Sequence, residues 1–140
     1  MWKYQNKEFT SDDIGDYIGF VYVIENVNNG KKYVGKKLFK STRKLPPLKG
    51  KKRARKKVVE TDWMTYYGSS VETMALVKAE GPGCFKREIL HLCHMKGELS
   101  YQELVEQVER KVLLRDDYYN GIINCRINHK HVKKLWENNS

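Results

Sequence analysis

Gly19-Phe20-Val21-Tyr22-Val23-Ile24, then Asn28-Asn29-Gly30-Lys31, then Lys32-Tyr33-Val34-Gly35-Lys36, is the stretch that decides the fold. Two runs rich in β-branched and aromatic residues flank an Asn-Gly turn signal, so residues 19–26 and 31–39 read as a β-hairpin. Strand side chains alternate between faces. A two-residue turn at Asn29-Gly30, with positive φ at both centres, would set Tyr33 opposite Asn26. A four-residue loop, Val27 to Gly30, would set Tyr33 opposite Ile24. Either way Tyr22 and Tyr33 share a face. Two phenols converging on a small target is one reading of that pair. Ordinary cross-strand packing is the other, because tyrosine is a favoured strand residue.

Outward from the hairpin, residues 1–18 read as a polar N-terminal extension or cap. Leu38 to Leu45 reads as the start of a helix that Pro46-Pro47 interrupts. Ser69 or Ser70 can cap a helix running toward Glu80, with Met74 and Val77 inward, and Gly81-Pro82-Gly83 ends it. Phe85 to Cys93 alternates as a third strand, with Phe85, Arg87, Ile89 and His91 on one face. Ser100-Tyr101-Gln102-Glu103 is a capping box that predicts a helix continuing to about Arg115. Residues 126–140, with Val132, Leu135 and Trp136 at helical spacing, read as a terminal helical tail. The expected fold is α+β, a small three-stranded antiparallel sheet flanked by helices.

The 140 residues carry 27 Lys+Arg against 17 Asp+Glu, a formal net charge of +10. One domain is the expected organisation at this length. The charge favours a polyanionic partner, nucleic acid ahead of an anionic membrane surface, because the sequence offers no basic amphipathic helix with a broad apolar face. Much of the charge lies in an insert spanning residues 46–62, in Lys49, Lys51, Lys52, Arg53, Arg55, Lys56 and Lys57. Such a block repels itself and reads as a mobile loop when unbound. Lys37 and Lys40 extend it, and all nine are candidate nucleic-acid contacts. The apolar runs are too short to span a bilayer and the N-terminus lacks a signal core. Cys84, Cys93 and Cys125 are too few and too scattered for a disulfide framework, so a cytoplasmic setting is expected. His91, Cys93, His94, Cys125, His129 and His131 match no regular zinc spacing.

Glu109 is the anomalous carboxylate. At 100° per residue on a helix reaching Arg115, it falls within the apolar arc of Val105, Val112 and Leu113, whereas Glu103 faces away. A carboxylate there is costly unless it is paired or coordinates a cation. An internal salt bridge to Arg87 or Arg43 is the competing reading.

Together these residues resemble the GIY-YIG nuclease family, in its phage and homing-endonuclease-like branch. Phe20-Val21-Tyr22 stands where Gly-Ile-Tyr would be, and Tyr33-Val34-Gly35 where Tyr-Ile-Gly would be. Asn26 and Asn28-Asn29-Gly30-Lys31 resemble that branch's linker, and Arg43 follows at the family's distance. Trp63-x-x-Tyr66-Tyr67-Gly68-Ser69-Ser70 resembles a stretch of phage-encoded members. Glu109 fits the family's metal-binding glutamate and Asn124 its closing asparagine. The match covers roughly residues 19–125. Two departures stand out: the first glycine is displaced to Gly19, with Phe20 in its slot, and Pro47 stands where many members place His or Tyr. Tyr66 or Tyr67 is the candidate substitute.

The resemblance implies a phosphodiester hydrolase acting on DNA with one Mg2+ (or Mn2+). Glu109 would be its ligand, and Arg43 would face the phosphate. Tyr22 would orient or deprotonate water with Lys36 as the nearby cation, and Tyr33 would bond to water or phosphate. Tyr67 and Asn124 would support them from behind. One module holds one active site, so double-strand cutting would need a dimer or two visits, and a homodimer or a protein partner is the expected source of specificity. If the chain is phage-encoded, its setting is the host cytoplasm. A non-catalytic basic nucleic-acid-binding module of the same fold is the alternative.

Overall fold

The computed structural model describes residues 1–120 and Ile123. The anticipated tail at 126–140, with Asn124, Cys125, His129 and His131, lies outside the described residues.

The central strand is β3 (Gly19–Asn26), buried almost throughout. Its alternation sends Phe20, Tyr22 and Ile24 to one side, and Val21 and Val23 to the other. β4 (Lys32–Leu38) pairs with it antiparallel, and the register sets Ile24 opposite Tyr33 and Tyr22 opposite Gly35. That is the register of the four-residue loop. Positive φ occurs at Gly30 (74°) but not at Asn29, so a primed Asn-Gly turn is not what closes the hairpin. Asn26 closes it instead. Its carbonyl accepts from the Gly30 N–H (2.8 Å), its N–H donates to the Lys31 carbonyl (2.8 Å), and its Oδ1 accepts from the Asn28 N–H (3.0 Å).

The sheet is larger than the three antiparallel strands anticipated. It has five strands and is mixed, because the chain's first residues enter it. β1 (Trp2–Tyr4) and β2 (Lys7–Glu8) form a hairpin around Gln5 and Asn6, both at positive φ (51° and 68°). β1 runs parallel to β7 (Phe85–Cys93), with Trp2 opposite Arg87, and β7 runs antiparallel to β3 with a bulge at Val21/Tyr22. The reason is burial. Trp2 is 0% exposed, packs edge-on against Phe20 (4.9 Å) and Tyr22 (5.4 Å), and donates its indole N–H to the Trp63 carbonyl (2.6 Å). Full burial of an aromatic side chain stabilises by roughly 1.5–3 kcal/mol, enough to order a short terminal strand.

Residues 40–45 are not a helix. β5 (Lys40–Leu45) and β6 (Arg55–Glu60) form a separate two-stranded antiparallel sheet, so Arg55, Lys56 and Lys57 of the basic insert lie on a strand, while Lys49 to Arg53 lie in the loop that joins the two strands. α1 (Val71–Glu80) starts at a Ser70 cap as expected, but Met74 is 55% exposed, and Thr73, Leu76 and Val77 are the residues turned inward. α2 (Lys96–Glu109) begins four residues before the anticipated capping box and ends before Lys111, which adopts positive φ (54°). α2 covers the valine face through Leu99, beside Val21, Val23, Val34 and Cys93. The opposite face is aromatic, with Trp2, Phe9, Phe20, Tyr22, Phe39 and Trp63 in one cluster.

Candidate active site

Tyr22 and Tyr33 do share a face, with ring centroids 6.3 Å apart. Gly35 makes room for them. A Cβ there would sit 2.5 Å from the Tyr22 hydroxyl and 3.1 Å from Tyr33 Cε1, so the phenol occupies the space a side chain would fill. Gly19 answers for the displaced glycine. A Cβ on it would meet the Lys37 carbonyl at 2.8 Å and Leu99 Cδ2 at 2.9 Å, so the close approach to α2 is made one residue early. Phe20 is free to fill the aromatic core beside Phe39 (4.7 Å).

The stretch from Trp63 to Ser70 builds the wall opposite the tyrosines. Trp63 is fully buried and donates to Glu60 Oε1 (2.7 Å). Arg87, buried on β7, donates from one guanidinium nitrogen to the carbonyls of Met64 (2.9 Å) and Tyr66 (2.8 Å). It stacks over Trp2 and Tyr67, 4.8 and 4.1 Å from their centroids. Tyr67 therefore belongs to the arginine's packing. Tyr66 is the residue placed against Tyr22, edge-on with ring centroids 5.9 Å apart. Gly68, at φ 93°, lies under the Tyr33 ring, and Ser69 Oγ is 3.1 Å from the Tyr33 hydroxyl.

The carboxylate whose charge acts on both phenols is Glu103. Because α2 starts early, Leu99, Glu103 and Gln107 form one i, i+4 stripe toward β4; Leu99 and Gln107 are buried and Glu103 is half-buried. Glu109 is exposed at the last turn, and neither a cation site nor an ion pair with Arg87 or Arg43 forms around it among the described residues. Burial pushes the Glu103 carboxyl above its usual range, opposed by the Lys36 charge and backbone N–H. Lys36 itself donates to Ser100 Oγ (2.9 Å) on α2. Burial also pushes the Tyr22 phenol well up, aided by Tyr66, Tyr33 and the Glu103 charge, so Tyr22 keeps its proton. Tyr33 is raised chiefly by burial, with the Ser69 bond opposing.

β4 is the sheet's edge, and what satisfies that edge arranges the site. The Lys32 N–H donates to the Asp117 carbonyl (2.9 Å), and the Tyr119 N–H donates to the Lys32 carbonyl (2.7 Å). Asn120 accepts from the Val34 N–H (3.0 Å) and donates to its carbonyl (2.8 Å), which also accepts from Gln107 (3.1 Å). Next along the edge, the Lys36 N–H faces the Glu103 carboxylate. Asn120 is thus the described asparagine that locks the tyrosine strand.

A cleft of about 820 Å3 adjoins the group, lined by Lys36, Lys37, Arg43, Asp62, Lys96 and Ser100 among others. Neither Tyr22 nor Tyr33 lines the cleft. Lys37 bridges to Asp62 (2.8 Å) and lies 4.3 Å over the Tyr66 ring. Arg43 is exposed on β5 and turned to this cleft. The structure thus groups Tyr22, Tyr33, Lys36 and Glu103 with Arg43 at the adjoining cleft.

A family model described as putative endonuclease segE, GIY-YIG domain, matches residues 2–123. The chain belongs to that GIY-YIG family. The match begins at Trp2, in keeping with the first strand's place in the sheet. Neither the comparison with curated proteins nor that with solved structures found a match. A GIY-YIG domain is a nuclease domain, and among the described residues no helix is long and apolar enough to cross a membrane.

Of the residues the sequence reading passed over, Glu103 had a signal. It lies four residues after Leu99 and four before Gln107, but the capping-box pattern assigned it to a helix start. Asn120 had none until its bonds to Val34 are seen.

Proposed function

We propose that the chain is a divalent-cation-dependent DNA endonuclease whose reacting phosphate sits between the Tyr22–Tyr33 pair and Glu103, beside the Lys36–Arg43 cleft. The observation that carries this is the half-buried Glu103 carboxylate on α2, beside the Lys36 N–H at the β4 edge and near enough for its charge to act on both the Tyr22 and Tyr33 phenols. Among the described residues no side chain forms an ion pair or hydrogen bond with it, and the nearby Lys36 charge and backbone N–H are what oppose its rise.

The residues suit a hydrated hard cation. Mg2+ keeps several waters and uses one or two carboxylates, which one half-buried glutamate can supply. An all-protein cage has no ligand set among the described residues. Bound at Glu103, the cation would supply Lewis-acid stabilisation of charge on the phosphate.

The protein's own part follows from geometry. Tyr22 stays protonated, so it orients the attacking water by hydrogen bonding rather than starting as a phenolate, and the water's proton is released to solvent. Tyr33, fixed by Ser69, orients water or a phosphate oxygen. Lys36, Lys37 and Arg43 present positive charge to an anionic backbone entering the cleft. Water oxygen bonds to phosphorus, one P–O ester bond breaks, and the leaving oxygen takes a proton.

Plasmid DNA incubated with Mg2+ tests this reading. Nicked or linear product should form, stop on chelation and resume when Mg2+ is restored. Cleavage that survives chelation, or DNA binding with no product at any Mg2+ concentration, would refute it.

A further inference from the structure

The β5–β6 hairpin carries nearly all of the chain's excess charge. Residues 41–59 contain nine Lys or Arg and no acid, leaving 18 cations against 17 acids elsewhere. All nine are exposed, and none forms an ion pair among the described residues. The register sets Arg43 directly opposite Lys57, and Lys44 directly opposite Lys56. Like charges facing each other across a strand pair oppose folding, so the ribbon is built against its own stability. The balanced pair, Lys40 opposite Glu60, lies at its base.

Alternation places cations on both faces. Arg43, Leu45, Arg55 and Lys57 share one, with Ser41 and Val59 beneath them, and this face continues the cleft wall through Ser41 and Arg43. Lys44 and Lys56 lie on the other, beside the exposed pair Thr42 and Val58, the latter 65% exposed. A patch resting flat on a phosphate ridge needs cations on one face. A ribbon seated in a groove has phosphates on both flanks. Six paired residues span roughly 20 Å, and a two-stranded ribbon fits the major groove, roughly 12 Å wide, while the minor groove is too narrow.

We propose that β5–β6 is a docking arm that seats in the major groove of duplex DNA, with its Arg43 face running into the cleft. This rests on the endonuclease reading and adds the substrate form: duplex rather than single strand, held beside the cut. Arg55, Lys56 and Lys57 contact phosphates, and Thr42 and Val58 meet base edges.

The test uses the full chain carrying Glu103→Gln, so that binding is read without cleavage, by fluorescence anisotropy on a 30-base-pair duplex and on its single strand. The duplex should bind at least tenfold tighter. Arg55→Gln/Lys56→Gln/Lys57→Gln should flatten the slope of log K against log salt by about 2–3, so the parent loses about 40-fold more affinity than the variant between 50 and 200 mM salt. Lys51→Gln/Lys52→Gln/Arg53→Gln, which leaves the paired strands intact, should flatten it likewise. Pyrimidines with a bulky C5 substituent should weaken binding at least tenfold, while a minor-groove ligand should not compete. Unchanged slopes in both variants, equal affinity for the single strand, indifference to the C5 substituent or competition by the minor-groove ligand each overturn the proposal. Failure of the nuclease reading looks different: the wild-type chain would bind duplex through the arm and yield no Mg2+-dependent product.

Discussion

Adding one methyl group at Gly35 probes the site's construction directly. The Cβ of Gly35→Ala would lie 2.5 Å from the Tyr22 hydroxyl, 2.8 Å from its Cζ and 3.1 Å from Tyr33 Cε1. The first is about 0.9 Å inside the 3.4 Å at which ordinary contact begins. Tyr22 has no room to retreat, since it is 1% exposed and walled by Trp2 and Tyr66. Overpacking a filled site costs about 1–3 kcal/mol, and this one belongs at the upper end. A displacement near 1 Å at a reacting centre costs about 100-fold in rate. Urea unfolding should therefore show a loss of about 2–3 kcal/mol, and single-turnover cleavage of plasmid DNA should slow by about 100-fold. Tyr22→Phe deletes the atom in the closest contact. In the double variant the two stability losses should be non-additive by about 1 kcal/mol in the relieving direction. Gly35→Ala with stability within about 0.5 kcal/mol of wild type and undiminished cleavage would refute the reasoning. Strictly additive losses would show that the phenol is not what the methyl group strikes.

Trp2→Ala should cost about 3–5 kcal/mol in urea unfolding, because the first strand is core; a loss below about 1 kcal/mol would return residues 1–18 to the status of an appendage. Glu103 has a folded-state pKa raised by burial. The folded chain therefore holds this proton more tightly than the unfolded chain, and stability from this group falls as pH rises from the unfolded value through the folded one. Glu103→Gln should be at least as stable as wild type at pH 7. Mg2+ at about 100 times its Kd should raise the wild-type unfolding free energy by about 2.7 kcal/mol and leave Glu103→Gln unchanged.

Much of the hairpin was legible in the sequence because its signals are local. Apolar alternation sets β3 and β4, and parity alone puts Tyr22 and Tyr33 on one face whichever even-length loop joins them. The parallel pairing of Trp2 with Arg87 joins residues far apart in the chain, and no pattern within three residues announces it. β5 was hidden by its lysines and by the prolines after it, which read as helix breakage although Ser41, Arg43 and Leu45 alternate correctly. The inward turn expected of Glu109 failed through the helix boundaries. A capping-box pattern at Ser100–Glu103 lies inside a helix that starts with no side-chain cap at Met95 and stops without a glycine at Lys111. A helix continuing to Arg115 would turn Glu109 inward, whereas α2 ends at Glu109 and leaves it exposed. With Leu99 and Gln107 as the buried stripe, Glu103 takes that place.

Single-turnover cleavage of supercoiled DNA in Mg2+ by wild type, Glu103→Gln and Glu109→Gln tests the central claim most directly. The account predicts a loss of at least about 1,000-fold for Glu103→Gln, on the scale of removing charge stabilisation at a reacting phosphate, with Glu109→Gln within about twofold of wild type. Equal rates for wild type and Glu103→Gln, or a collapse confined to Glu109→Gln, would contradict it.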